Sequence, residues 1–261
     1  MTRPPIALIT GAAVRIGQAL ALDLATHGWK VGLHCRRSAS QASDLAEKIS
    51  ALGGEAAVLP ADLTDAAAPG QLLDACVSAL GPPTLLINNA AMFVDDEVAT
   101  LDPALWAAQL AVNLRAPVFL AKAFAAQLPA GASGNVINII DQRVWKPTPR
   151  YFSYTASKLA LWGATRTLAQ ALAPAIRVNA IGPGPVLRGS HQTEEEFRAQ
   201  CAATILGRGT TPEEIATAVR FILDAPAMTG QMIALDGGQH LAWQTPDIDG
   251  SGSSSSAPRK S

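Results

Sequence analysis

Ile6-Ala7-Leu8-Ile9-Thr10-Gly11-Ala12-Ala13-Val14-Arg15-Ile16-Gly17 runs from four apolar residues through a glycine-bearing turn into an amphipathic stretch, Arg15 to Thr26, closed by Gly28. A short continuous apolar run reads as a buried strand. A strand that turns directly into a helix presents backbone N–H groups at a helix N-terminus, where a pyrophosphate binds. The spacing departs from G-x-G-x-x-G, so the context of strand, turn and helix carries the reading. Arg15 adds a charge to this turn. It is either a charge-assisted donor to phosphate, worth about 1.5–3 kcal/mol, or a solvated residue at the helix start.

The same alternation continues outward from this unit. Val31–His34, Ala57–Leu59, Leu85–Ile87, Val136–Ile139, Ile176–Ala180 and Met232–Leu235 read as further short strands. Between them lie helical stretches at about Gln41–Leu52, Gln71–Leu80 and Ser153–Leu172, with two helices between the fourth and fifth strands. Short apolar strands alternating with helices predict an α/β, doubly wound parallel sheet of Rossmann type, about seven strands in a single domain with helices on both faces. The reductase domain is expected over residues 1–246. Residues 247–261, rich in Gly and Ser, are expected to be a flexible C-terminal tail.

Composition narrows the function class. With 261 residues, 49% of them hydrophobic, the chain is long and apolar enough to bury a full core. A net charge of −1 gives no reason to expect nucleic acid or an anionic membrane as partner. The most apolar stretch, Trp106 to Leu128, is interrupted by Asn113, Arg115, Pro117 and Lys122, which suits a buried or subunit-interface helix better than a membrane span. Three scattered cysteines, Cys35, Cys76 and Cys201, form neither a disulfide framework nor a zinc set, so no metal is expected and a reducing cytoplasm fits. Arg3-Pro4-Pro5 followed at once by a strand does not read as a signal peptide.

Cofactor choice is read at the end of the second strand. A chain selective for NAD places Asp or Glu there for the ribose 2′-hydroxyl. This chain has Cys35-Arg36-Arg37-Ser38 and no acidic residue until Asp44. Two guanidiniums and a hydroxyl suit a 2′-phosphate dianion, which predicts NADPH.

The candidate chemistry lies in Tyr154-Thr155-Ala156-Ser157-Lys158. Tyr and Lys four apart share one helix face, and a neighbouring ammonium is expected to lower the tyrosine pKa. Upstream, Asn138-Ile139-Ile140 leads to Asp141, a carboxylate that cannot donate to a carbonyl oxygen unless protonated. It better matches a substrate presenting N–H or amino donors. Asp141 either accepts from such an edge or feeds a proton to Tyr154.

Together these residues resemble the short-chain dehydrogenase/reductases, along the chain to about Leu241. The matching marks are Thr10-Gly11 with Gly17, Asp62-Leu63, Asn88-Asn89-Ala90-Ala91, Asn113, Tyr154 with Lys158, and Pro183-Gly184. The resemblance implies that Gly11, Arg15, Ile16, Gly17, Arg36, Arg37, Ser38, Asn89, Ala90, Ala91, Pro183 and Gly184 line the cofactor site. It implies too that Asp62 and Leu63 flank the adenine, that Lys158 holds the nicotinamide ribose, and that Asn113 anchors a water in a proton relay. Most members have Ser where this chain has Asp141. With Arg15 in the turn, Leu33-His34-Cys35-Arg36-Arg37-Ser38, and Phe93 after Ala91-Met92, the chain is similar to the pteridine, dihydromonapterin and dihydrofolate reductases of that family. The likeness implies that Arg15 reaches both cofactor phosphate and pterin, and that Phe93 sandwiches the pterin against nicotinamide. A loop anchor is the other reading of Phe93. Ala91 stands where some pteridine reductases have Ser, removing one polar contact.

The expected activity is therefore NADPH-dependent hydride transfer to a C=N bond of a pterin or dihydrofolate-like small molecule. Asp141, Tyr154, Lys158 and Asn113 are the expected catalytic residues, and Arg15, Phe93, Asp141, Tyr154 and Leu187 the expected substrate contacts. The segment after Pro183-Gly184, through Leu187, Arg188, His191 and Glu194–Arg198, is expected to close the substrate side; His191 reads as an inert loop residue. Trp243 either packs within the chain or reaches a neighbouring subunit, since the family packs as a homo-oligomer, tetramer or dimer. The alternatives are a carbonyl reductase of a 3-oxoacyl thioester or sugar, and a non-catalytic NADP-sensing regulator. The complete Tyr154/Lys158 pair argues against the sensor.

Overall fold

Strand β1, Ile6–Ile9, is buried at every residue. Its side chains alternate: Ala7 and Ile9 enter one core, Ile6 and Leu8 the other. A period of two across a pleated strand forces that split, and a strand apolar on both faces must be covered on both. The computed structural model describes residues 4–189 and 192–243; His191 and the expected tail, 247–261, lie outside them.

The other strands are β2 Lys30–Cys35, β3 Ala56–Pro60, β4 Leu85–Asn88, β5 Gly134–Ile139, β6 Ile176–Pro183 and β7 Met232–Leu235. All pairings are parallel, in the order β3-β2-β1-β4-β5-β6-β7. The helices are α1 Arg15–Thr26, α2 Ala39–Ala51, α3 Ala68–Leu80, α4 Pro103–Leu110, α5 Ala116–Gln127, α6 Phe152–Leu172, α7 Glu194–Ala202 and α8 Pro212–Leu223. One core holds Leu20 and Leu24 of α1 with Ile215, Val219 and Ile222 of α8. The opposite core holds Leu72 and Leu73 of α3 with Leu120 and Phe124 of α5. The expected seven-stranded, doubly wound sheet is the fold observed.

Strand order reverses between β1 and β4, so their outgoing loops diverge and open a crevice at the carboxyl ends of the strands. That crevice receives Thr10–Gly17 from β1 and Asn89–Phe93 from β4.

Two elements differ from expectation. The two helices expected before β5 are one continuous rod, Pro103–Gln127, in which a π turn, Ala111–Arg115, joins α4 to α5. Pro117 falls in the first turn of α5, where a missing N–H costs least. This rod is the one helix among the described residues that is long and apolar enough to cross a membrane. In its most apolar stretch 44% is buried, and it packs against α3 and α6, as a core-lining helix does. Second, α8 was not foreseen. Its signal is the run Thr211-Pro212-Glu213-Glu214: Thr211 Oγ1 accepts from Glu214 N, and the Glu214 carboxylate accepts from Thr211 N, closing a capping box with Pro at the start.

Candidate active site

The switch point is stitched by Thr10 and Asn89. Thr10 Oγ1 accepts from Asn89 N and Ala90 N, both at 3.0 Å. Asn89 Nδ2 donates to Thr10 O at 2.9 Å and Gly11 O at 3.0 Å. The turn is left with little room. Gly11 holds φ +63, and a Cβ on Gly17 would lie 2.1 Å from Gly11 O and 2.8 Å from Asn89 Nδ2. Glycine is what lets the helix start press against the turn and leaves space for a phosphate.

A buried histidine of β2, His34, which carries no expected role of its own, holds this turn from behind. Gly11 N donates to His34 Nδ1 at 3.0 Å, and His34 Nε2 lies 3.2 Å from Ala61 O. One tautomer fits both partners: Nδ1 bare, Nε2 protonated. Burial depresses its pKa to about 4, so His34 stays neutral and remains an acceptor. A polar residue inside an otherwise apolar strand, next to the phosphate turn, was the available signal.

Arg15 adopts φ +58, a left-handed conformation that costs a β-carbon-bearing residue about 1–3 kcal/mol. Its Nη1 donates to Arg188 O and its Nη2 to Leu187 O, each at 2.9 Å. The expected phosphate and substrate contact is therefore, in this structure, a tie between the first turn and the loop after β6. Leu187, 172 residues further along the chain than Arg15, is thereby placed beside the turn. At the end of β6 Pro183 is buried, and Gly184 N donates to Leu235 O at 3.0 Å.

At the other end of the crevice Arg36 and Arg37 are exposed beyond β2, and Ser38 begins α2 without spending its hydroxyl on a cap. Asp62 follows β3 and accepts from Thr64 N at 2.9 Å and Thr64 Oγ1 at 2.7 Å. Those bonds, and then the nearby Arg36 and Arg37 charges, hold its carboxyl below the usual range. Leu63 beside it is buried.

Asp141, Tyr154 and Lys158 converge where β5 ends against α6. Asp141 caps the short turn Gln142–Val144: its Oδ1 accepts from Arg143 N at 2.8 Å. Tyr154 Oη donates to Asp141 Oδ2 at 2.9 Å. Lys158 is buried and its Nζ donates to Ile139 O at 2.7 Å. Burial pushes the Asp141 carboxyl up and pulls the Lys158 ammonium down to about 8.

The expectation that Lys158 lowers the Tyr154 pKa is overturned. Burial, and then the charge of Asp141, push the phenol well above its ordinary value. The lysine Nζ donates one of its protons to the Ile139 carbonyl and lies 5.7 Å from the Tyr154 ring centre, while the carboxylate accepts directly from the phenol at 2.9 Å. The nearer charge wins.

Asn113 lies within the π turn. Its Oδ1 accepts from Met92 N at 2.8 Å, and its Nδ2 donates to Met92 O at 2.9 Å and Ser157 Oγ at 3.0 Å. Both amide protons are used, so the side chain pins the loop carrying Phe93. A π turn in a helix marks functional sites in general; here it aims that amide at the loop.

Phe93 is half exposed, stacked on Tyr151 (4.2 Å between centres, 5° between planes) and edge-on to Tyr154 at 4.6 Å. Tyr151 holds φ +56 just before α6. The pair is fixed through Asp96, whose carboxylate accepts from Ser153 N at 3.0 Å and from Ser153 Oγ. Tyr151, Asp96 and Arg143 were all missed. Their signals were position alone: three residues before Tyr154, three after Phe93, two after Asp141. Ala91 is exposed in the same loop, and Trp243 is exposed at the end of the described chain.

A family model described as enoyl-(acyl carrier protein) reductase matches residues 11–240. The chain is 33% identical to pteridine reductase 1 of Leishmania tarentolae, over 91% of this chain and 96% of the relative. It is 32% identical to the 3-oxoacyl-[acyl-carrier-protein] reductase of Synechocystis sp., over 89% and 96%. Among solved structures, FolM alternative dihydrofolate reductase 1 from Brucella suis, in complex with NADP, superposes with a TM-score of 0.91 at 50% identity, covering 94% of this chain and 98% of that one.

Proposed function

Because the chain belongs to the short-chain dehydrogenase/reductase family, we propose that it is an NADPH-dependent reductase of a C=N bond in a pterin or dihydrofolate-like substrate. The observation that carries the reading is the Tyr154–Asp141 hydrogen bond. A family likeness shared with both pteridine and 3-oxoacyl reductases leaves the substrate to that pair.

The residues suit the cofactor. The glycine turn leads straight into the N-terminus of α1, where backbone N–H groups suit a phosphate, and Arg36, Arg37 and Ser38 offer donors for a 2′-phosphate. Ile16, Asn89, Ala90, Ala91, Pro183 and Gly184 line the path between them, and Asp62 and Leu63 border the adenine end. When bound, NADPH supplies the hydride. Hydride addition to carbon leaves an electron pair on the ring nitrogen, which takes a proton. Tyr154, kept protonated by its raised pKa, donates it, and Asp141, whose own pKa is raised, returns one to the phenolate. Lys158 holds positive charge near the phenolate, Asn113 fixes the Phe93 loop, and Phe93 packs against the ring at about 1–3 kcal/mol. Arg15 and Leu187 close the substrate side.

The second reading, a carbonyl reductase, is favoured by the 3-oxoacyl reductase likeness. A protonated Asp141 could donate to a carbonyl oxygen, but at neutral pH any ionised fraction repels the developing oxyanion. A homo-oligomer in the cytoplasm belongs to the same reading: the Pro103–Gln127 rod keeps part of its apolar face uncovered, and the three cysteines are free thiols. Reduction of dihydrobiopterin or dihydrofolate with 4-deuterated NADPH tests the chemistry. Deuterium on a ring carbon, found by mass spectrometry, is the expected result; no label in either product, with label entering a ketone substrate, rejects it.

A further inference from the structure

Arg143 stands two residues beyond Asp141, and its guanidinium meets the Phe93–Tyr151 stack. Its central carbon lies 5.4 Å from the Phe93 ring centre and 4.9 Å from that of Tyr151, while the rings are 4.2 Å apart. The guanidinium thus makes cation–π contact with both rings, which holds its plane beside the stack but supplies no acceptor for its N–H groups. Nη1 is buried and has no hydrogen-bond partner among the described residues. Among the described residues the Arg143 side chain makes no hydrogen bond to Asp141, whose oxygens accept from Arg143 N and Tyr154 Oη and keep further lone pairs. Arg15, the arginine expected at the substrate, spends its Nη1 and Nη2 on loop carbonyls. An orphaned guanidinium proton inside a crevice calls for an acceptor.

We propose that Arg143 is a specificity-determining residue that donates to an acceptor oxygen of the substrate, alongside the N–H edge that Asp141 reads. The proposal rests on the C=N reductase reading and refines it. A donor beside an acceptor is complementary to a cyclic amide, which presents C=O next to N–H. The same acceptor chemistry has a second source, the carboxylates of an aminobenzoyl-glutamate tail. Guanidinium and carboxylate then sort substrates: a plain ketone satisfies one group and leaves the other unpaired.

The test is steady-state kinetics at saturating NADPH for wild type, Arg143→Met and Arg143→Lys. The substrates are dihydrobiopterin, which has the ring amide alone, and dihydrofolate, which has both acceptors. Melting temperature and NADPH affinity serve as controls for folding. The expected result is a KM raised about tenfold or more in Arg143→Met, with kcat changed less and both controls held. Arg143→Lys recovers only part, because an ammonium lacks the planar fork. A rise with both substrates assigns the ring amide, and a rise with dihydrofolate alone assigns the tail. Unchanged KM with a displaced pH profile would overturn the proposal and make Arg143 a tuner of Asp141 and Tyr154. Loss of melting temperature and cofactor affinity in both variants would overturn it in favour of a structural role. Failure of wild type to turn over either pterin overturns the substrate reading itself, and so is told apart from a failure at Arg143.

Discussion

Tyr154 Oη donates to Asp141 Oδ2 at 2.9 Å, across thirteen residues of chain. The bond couples two groups that burial drives in the same direction, toward their protonated forms. A phenol whose proton is shared with a buried carboxyl is a proton reservoir with two stations, suited to a substrate nitrogen that must gain one proton for each hydride. Replacing Asp141 by Ser is expected to lower kcat/KM for pterin reduction about 100-fold while leaving the NADPH dissociation constant nearly unchanged. Fluorescence titration of NADPH beside initial rates checks this, and equal loss of both would make Asp141 structural.

The burial of Asp141 has a sign that stability measurements read. Its folded pKa is raised, so its contribution is most favourable below the ordinary carboxylate range and is lost as pH rises through the folded value. Asp141→Asn, which keeps an acceptor for Tyr154, is expected to melt higher than wild type at pH 7.5. The advantage is about 2–4 °C for each kcal/mol of relieved penalty, and it shrinks toward pH 4. Calorimetry across that range checks the trend.

Lys158 titrates in the opposite sense. Burial depresses its pKa to about 8, so its positive charge is present below that pH and lost above it. An enzyme that needs the charge loses activity on an alkaline limb near pH 8. Lys158→Arg, slower but permanently charged, is expected to move that limb to higher pH; an unmoved limb would assign it to another group.

How much of this was readable in advance depends on range. The sheet was legible because each strand is a short apolar run whose burial on both faces leaves no alternation to confuse. Thr10–Gly17 was legible because glycine spacing at a turn is a local constraint. Long-range ties were not. Nothing in the sequence joins Arg15 to Leu187 O, His34 to Gly11 N, or Asp96 to Ser153, because a side chain's partner is fixed only once the sheet order is. The Tyr154 pKa follows the same rule: spacing reveals the lysine one turn away, whereas the burial that dominates is set only once β5 and α6 pack together.

Gly17→Ala tests the phosphate turn. The added Cβ would meet Gly11 O at 2.1 Å, and this neighbour is backbone and cannot swing aside. NADPH affinity is expected to fall roughly tenfold or more, with a lower melting temperature, measured by titration and thermal denaturation on one preparation.

Arg37→Asp tests cofactor choice. Loss of a charge-assisted bond of about 1.5–3 kcal/mol predicts a fall in kcat/KM for NADPH of about 10- to 100-fold, with NADH affected little or improved. An unchanged NADPH/NADH ratio would place 2′-phosphate recognition elsewhere.

The most direct measurement of the central claim is NADPH oxidation with dihydrobiopterin, dihydrofolate and an acetoacetyl thioester, side by side on one preparation. The account predicts turnover of at least one pterin with a kcat/KM well above that for the thioester, and loss of that preference in Asp141→Ser. Turnover of the thioester alone would contradict it.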